Sequence, residues 1–330
     1  MRPSILPRFL STLLCAACLA VSGTALAQKM RVGYWTSGVS LGFGSVLEQG
    51  KFLEKEGLDV EFIKFSDVNA PTKALASNAI DVAIGASAAG ALNIVADGVP
   101  IKIILGTQIA EAQFAVLADS PIKSFADLKG KKIGMSPAGS ATHAIAAALL
   151  ENNYGLKPGD YTVVPGTEPR LAQFLIQKEI DAGAIRSTTV AQMNEVKLRS
   201  LGNYIDEWKK LTKSNSVPYI GIGVVHSDYA AKYPDNLVKF IVGMRRAMEF
   251  GSKNKAQVAE VLQKAANMPA DDAKAYASLW DNIYRVSFEP QDIATMRKMN
   301  EIFKAGGTAR KDVPDSAFLA EPYIKSKQIK

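Results

Sequence analysis

A chain of 330 residues, 48% hydrophobic and 22% charged, can fill two cores and is too apolar for disorder. Its two cysteines, Cys15 and Cys18, and two histidines, His143 and His226, exclude a metal cluster of thiolate or imidazole spacing. The net charge of +7 is dispersed, and its tightest cluster, Lys129, Lys131 and Lys132, flanks a turn without interleaved aromatics, so no nucleic-acid partner is expected.

Residues 1–27 read as a secretory signal peptide. Arg2 and Arg8 give a positive start, Phe9 to Val21 is apolar but too short to span a bilayer, and Ala25-Leu26-Ala27 is an A-x-A cleavage site before Gln28. Without it the chain keeps 37 Lys and Arg against 32 acids, about +5, and no cysteine. Disulfides and cysteine nucleophiles are then excluded, and no later apolar run is long enough to cross a membrane.

Met30 to Trp35 reads as a strand, Leu47 to Glu56 as a helix stopped at Gly57, and Leu58 to Phe65 as a strand. A helix from about Ala70 to Asn78, a strand Asp81 to Gly85, a helix Ala88 to Asp97 and a strand Ile101 to Leu105 follow. This alternation predicts a parallel sheet covered by helices. After an extended segment from Phe114 to Ala118 and a short helix capped by Ser124, the pattern restarts. Strands are expected at Lys132 to Met135, Tyr161 to Pro165 and Ala182 to Ile185. The helices between them run from the Gly139-Ser140 turn to about Asn153, from about Pro169 to Lys178, and onward from about Thr188. Val217 to Val225 is extended, and the spacing from Pro234 onward is helical, predicted to pack on the first lobe.

The restart is a repeat. Leu75 to Ser87 and Leu175 to Ser187 each read as a helix end, an Asp (Asp81, Asp181), a short apolar strand and a Ser-bearing turn. Arg31-Val32-Gly33 likewise matches Lys132-Ile133-Gly134. Two copies of one strand-helix plan present two sets of strand-end loops, where ligands collect in open α/β sheets, and facing lobes make a clamp. Segments 109–116 and 214–222 are the expected hinges. The predicted division is residues 28–110 and 218–330 for lobe 1 and 111–217 for lobe 2.

Phe52 to Val60, Leu75 to Gly85, Ile122 to Gly134 and the Gly139-Ser140 helix start resemble the bacterial substrate-binding proteins of ABC importers, of the nitrate/sulfonate/taurine type, related to the thiamine-pyrimidine-precursor binders. The resemblance runs from about residue 30 to 250. It implies an α/β, two-lobed periplasmic-binding-protein fold (type II-like), each lobe a mainly parallel sheet covered by helices, with two crossover strands. It also implies a periplasmic monomer without cofactor, delivering a small anionic organic solute to an inner-membrane ABC permease. Where the group often carries an aromatic and an acidic residue after the second-lobe strand, this chain has Ile185-Arg186-Ser187.

The expected ligand-binding residues are Tyr34, Trp35, Thr36, Ser87, Gln108, Gly139, Ser140, Thr142, His143, Arg186 and Ser187. Gly139 to His143 opens a helix whose free amides and dipole suit an oxyanion, with Ser140 also its N-cap. Arg186 stands where the first copy has Ala86; it either pairs an acidic ligand group bidentately or is a surface Arg bonded to Glu195 or solvent. Both readings leave the unliganded stability of Arg186→Ala near wild type. Trp35 and Tyr34 either wall an apolar pocket or pack beneath the next helix. Ser87, Thr107 and Gln108 end other strands, and Ser66 is expected to cap a helix. Gly38-Val39-Ser40-Leu41-Gly42 matches a serine-hydrolase turn, but a triad needs a His partner. Gly44 to Phe52 has the wrong spacing, and Phe52 in place of Ser or Thr, for a phosphate loop. No enzyme is expected; a pyrimidine-precursor synthase or a hydrolase using Ser40 is the alternative.

Overall fold

The computed structural model describes residues 29–193 and 195–329, so the expected leader and both cysteines lie outside the described residues. The first run is β1 (Met30–Trp35), α1 (Gly38–Gln49), β2 (Val60–Phe65), α2 (Ala70–Ala76), β3 (Val82–Ser87), α3 (Ala88–Ala96) and β4 (Ile101–Ile109). The chain then enters β5 (Ala112–Leu117), β6 (Lys132–Met135), α4 (Ala141–Tyr154), β7 (Thr162–Pro165), α5 (Glu168–Ile176), β8 (Ala182–Arg186), α6 (Ser187–Gln192), β9 (Leu198–Asn203) and α7 (Tyr204–Thr212). It returns through β10 (Tyr219–His226), α8 (Ser227–Lys232), α9 (Pro234–Lys253), α10 (Lys255–Ala266), α11 (Ala270–Ser278), α12 (Trp280–Ile283), β11 (Tyr284–Ser287), α13 (Pro290–Ala305) and α14 (Glu321–Ser326).

Two sheets result, ordered β11-β4-β10-β3-β1-β2 and β7-β6-β8-β5-β9. Their plan is shared: β1 pairs in parallel with β2 and β3, as β6 does with β7 and β8, and an antiparallel strand lies beside the third. In the first sheet that strand is β10, arriving from the end of the second unit; in the second it is β5, arriving from the first. Both sheets are therefore mixed. The predicted parallel neighbour of β3 is displaced because β10 inserts between β3 and β4. The crossings run side by side, with Ala110 N–H donating to Pro218 O at 2.9 Å and Tyr219 registered with Ile109.

The repeated Asp joins neighbouring strands in both copies. Asp81 N–H donates to Arg31 O (2.9 Å) and its carboxylate accepts from Arg31 N–H (2.8 Å); Asp181 and Lys132 do the same at 2.8 and 2.7 Å. Only Asp81 also takes a guanidinium, from Arg31 Nε at 3.1 Å and Nη2 at 2.7 Å, and its carboxylate is buried whereas Asp181 is exposed. Asp81→Ala should lower stability by about 3 kcal/mol and Asp181→Ala by about 1 kcal/mol, read from denaturant midpoints at constant slope. Equal losses would show that the Arg31 pair adds nothing.

Helix α1 begins nine residues earlier than its apolar spacing predicts, at Gly38. Its glycines are contact points for rings: a Cβ on Gly42 would lie 2.5 Å from Tyr276 Oη, and one on Gly44 would lie 2.4 Å from the Tyr34 ring. The Tyr284 hydroxyl stands in the first turn, accepting from Phe43 N–H at 3.1 Å and donating to Val39 O, while Tyr276 Oη donates to Gly38 O at 3.0 Å. A helix completed by distant tyrosines leaves little periodic signal of its own. The C-terminal helices cover the first unit through α9, α10 and α14, and α11, which packs on α10, also touches α6 of the second unit.

Candidate functional site

The strand ends of the two sheets meet where Ser87 and Asn69 face the loop from Ser136 to Ser140. Ser87 Oγ donates to Gly139 O at 3.0 Å, and Asn69 Nδ2 donates to Ala138 O at 3.3 Å. Ser140 caps α4 by accepting from His143 N–H at 3.3 Å, and Ser87 caps α3 by accepting from Gly90 N–H at 3.3 Å.

Arg186 ends β8 and is only 3% exposed. Its guanidinium lies under the Trp35 ring, 5.2 Å from the ring centre, a desolvated cation–π contact between the two units. Gly38 has φ +52°, and a Cβ there would fall 2.7 Å from Nη1, so the close approach needs a residue without a side chain. Nη2 donates to Thr142 Oγ1 at 2.9 Å and Nη1 lies 3.0 Å from Glu168 Oε1. That ionic contact is not aligned as a hydrogen bond, leaving Nε and Nη1 buried without an acceptor among the described residues. Buried donors left unpaired are expensive, and a guanidinium edge matches an acidic group's oxygens.

Glu168 opens α5 and is 4% exposed. It accepts from Arg186 N–H (3.2 Å) and Thr189 Oγ1 (2.6 Å), and more weakly from Ser136 Oγ (3.5 Å). Sequence reasoning missed it. The available signal was its place at the start of the helix after the second strand of its copy, where Ala70 stands in the first. The surface reading of Arg186 is corrected: its partner is buried Glu168, and Glu195 is not among its contacts.

The other expected residues divide. Trp35, Ser87, Gly139, Ser140, Thr142 and Arg186 come together at the contact between the units. Tyr34 does not wall it: its hydroxyl donates to Glu48 Oε2 at 2.7 Å at the far end of α1, and burial raises its pKa. Thr36 Oγ1 donates to Phe65 O at 3.0 Å, tying strand to strand. Ser66 offers its carbonyl to Trp35 Nε1 at 3.2 Å, while the residue before α2 is Asn69, so Ser66 is not the cap. Ser187 Oγ donates to Glu111 Oε1 at 3.0 Å, bracing the first crossing. The Gln108 amide lies between Gly85 and Gly221, with Nε2 donating to Ser40 Oγ at 3.0 Å. His143 Nδ1 is 3.2 Å from Ser136 O and so carries the proton; burial lowers its pKa, partly offset by that bond, and near neutral pH it brings no positive charge. A cavity of about 400 Å³ lies at the second crossing, between Ser214, Arg285 and Lys298, and includes none of the expected residues.

Comparison with known proteins agrees with this architecture. A Haemophilus influenzae protein described as a thiamine biosynthesis protein is 32% identical over 152 residues, 45% of this chain and 47% of that protein, so the match spans about half its length. A Brucella abortus protein described as a binding protein is 21% identical over 92% of this chain and 94% of its own. The yeast 4-amino-5-hydroxymethyl-2-methylpyrimidine phosphate synthase THI11, from Saccharomyces cerevisiae, is 24% identical over 60% of this chain and 59% of its own. Among solved structures, the alkanesulfonate-binding protein SsuA from Xanthomonas axonopodis pv. citri bound to MOPS superposes with a TM-score of 0.74 at 19% identity, covering 88% of this chain and 98% of that one. The periplasmic aliphatic sulphonate binding protein SsuA from Escherichia coli gives 0.71 at 20% identity, covering 86% and 89%. At such identity these structures share the fold: two helix-covered mixed sheets in a two-lobed periplasmic-binding-protein arrangement. The family described as NMT1/THI5 like matches residues 46–257, and the chain belongs to that family.

Proposed function

We propose that this protein is the exported solute-binding component of an ABC importer, closing two lobes on a small organic anion, a sulfonate or carboxylate, and handing it to a membrane permease. The lobes are residues 28–110 with 218–330, and 111–217, hinged at the paired crossings near Ala110 and Pro218. The observation that carries this reading is Arg186, a buried guanidinium at the contact between the sheets whose Nε and Nη1 have no hydrogen-bond acceptor among the described residues, although Nη1 faces Glu168. The first turn of α4 adds free amides and the positive end of a helix dipole beside Thr142. Trp35 supplies an apolar wall.

The likeness to the yeast synthase keeps a pyrimidine-precursor chemistry as the second reading. A hydrolase using Ser40 is disfavoured because Ser40 shares its hydrogen bond with the Gln108 amide, which cannot take its proton as a base. Thermal-shift screening against sulfonates, carboxylates and nitrate discriminates. Saturation at a hundred times the dissociation constant should stabilise by about 2.7 kcal/mol, with the compound recovered unchanged. Small-angle scattering with that compound should show a smaller radius. Chemical conversion of the compound, or no contraction on binding, would reject the clamp.

A further inference from the structure

We infer that Glu168 makes the Arg186 recess select singly charged anions and reject doubly charged ones of the same shape. This rests on the anion-binding reading above and adds to it the charge class of the solute. Glu168 and Arg186 are both more than nine-tenths buried, and their charges cancel across 3.0 Å. The carboxylate is held in place: one oxygen takes the Arg186 N–H and the Thr189 hydroxyl, the other faces Nη1 and the Ser136 hydroxyl. The neighbouring titratable groups do not change the balance. Burial lowers the His143 pKa against the opposing bond to Ser136 O, and the Tyr204 and Tyr276 hydroxyls keep their protons because burial raises both.

The Arg186–Glu168 pair thus carries no net charge before a solute enters. What the recess offers is the two unpaired guanidinium donors and the opening amides of α4, dipoles that suit one negative charge. An oxygen bonded to Nη1 shares that nitrogen with Glu168 Oε1. Two acceptors each about 3 Å from one nitrogen are at most about 6 Å apart, so a second negative charge on the solute meets the carboxylate at short range in a poorly screened setting. An uncompensated Arg would favour the dianion. Glu168 reverses that preference, and nothing in its contacts allows it to swing away.

Sulfonates and phosphate monoesters carrying the same alkyl or aryl group test this. They share a tetrahedral head, but at pH 8 the monoester carries two charges, its second ionisation lying near pH 6. Wild type should bind the sulfonate of each pair at least about tenfold more tightly. Glu168→Gln keeps the side chain's size and an acceptor for the Arg186 N–H, and should move the phosphate-to-sulfonate affinity ratio about tenfold or more toward phosphate. Should that variant fail to fold, wild type alone suffices. Lowering the pH from 8 to 5 makes the monoester singly charged, and the sulfonate serves as control for changes in the protein, so the ratio should close by about the same factor. Equal binding of both at pH 8, or a ratio unmoved by Glu168→Gln or by pH, overturns charge selection and leaves the anion reading standing. Binding of no member of either series at either pH, nor of the matching carboxylates, overturns the anion reading and this inference with it.

Discussion

Arg186→Ala should lose affinity and stability together. Removing the guanidinium deletes a charge-assisted contact to the solute, expected to weaken sulfonate binding by about 1.5 to 3 kcal/mol, roughly ten- to a hundredfold. It also leaves the Glu168 carboxyl group 4% exposed with no countercharge, and breaking a buried pair from one side costs about 3 kcal/mol or more. With Arg186 in a cleft or on the surface, as the sequence alone allows, unchanged stability is expected; the buried carboxylate beside it reverses that. Arg186→Lys restores a charge but not the fork that meets Thr142 and Glu168 together, so it should recover part of the stability and little of the affinity. Denaturant unfolding and titration calorimetry on the three proteins separate the effects. An alanine variant as stable as wild type would mean the pair adds nothing; one that binds the sulfonate normally would remove Arg186 from the site.

What the sequence made legible was whatever repeats or alternates. The two Asp-bearing turns, the doubled strand-helix plan and the Gly139-Ser140 helix start are local patterns, and each maps onto an observed element. Less legible was anything completed by a distant partner. The start of α1 depends on Tyr276 and Tyr284, more than two hundred residues away, and its glycines fall before the helix that the apolar spacing predicts. Strand β10 enters the first sheet from beyond the second unit, which no alternation of neighbouring elements signals. In the site, Arg186 was found because the repeat sets it against Ala86. Glu168 was missed because a lone Glu at a helix start has an ordinary explanation there in the dipole. Tyr34 and Trp35, adjacent on one strand, had to face opposite ways, and only the structure assigns which one meets Arg186.

The second large effect should come from Gly85→Ala, which places a methyl group where the Gln108 amide lies. Gly85 has φ +63° within β3, and a Cβ there would stand 2.1 Å from Gln108 Nε2 and 3.1 Å from Ser40 Oγ. Left-handed backbone costs an alanine about 1 to 2 kcal/mol, and forcing the buried amide aside about 1 to 3 more, so a loss of roughly 2 to 5 kcal/mol is expected. Gly221 lies on the other side of the same amide, its added Cβ 2.3 Å from Oε1, but its φ is not in the left-handed region. The two glycines therefore separate contact from backbone strain. Combined with Gln108→Ala, Gly221→Ala should lose most of its own added penalty, keeping only the part owed to the Cβ of residue 108, 3.0 Å from the added methyl, whereas Gly85→Ala should keep the conformational part, about 1 to 2 kcal/mol. Additive losses in both double variants would mean the glycines do not shape the position of Gln108. Complete rescue at both positions would mean that β3 relaxes its left-handed turn once the amide is gone, making Gln108 the cause of that turn and not merely its neighbour.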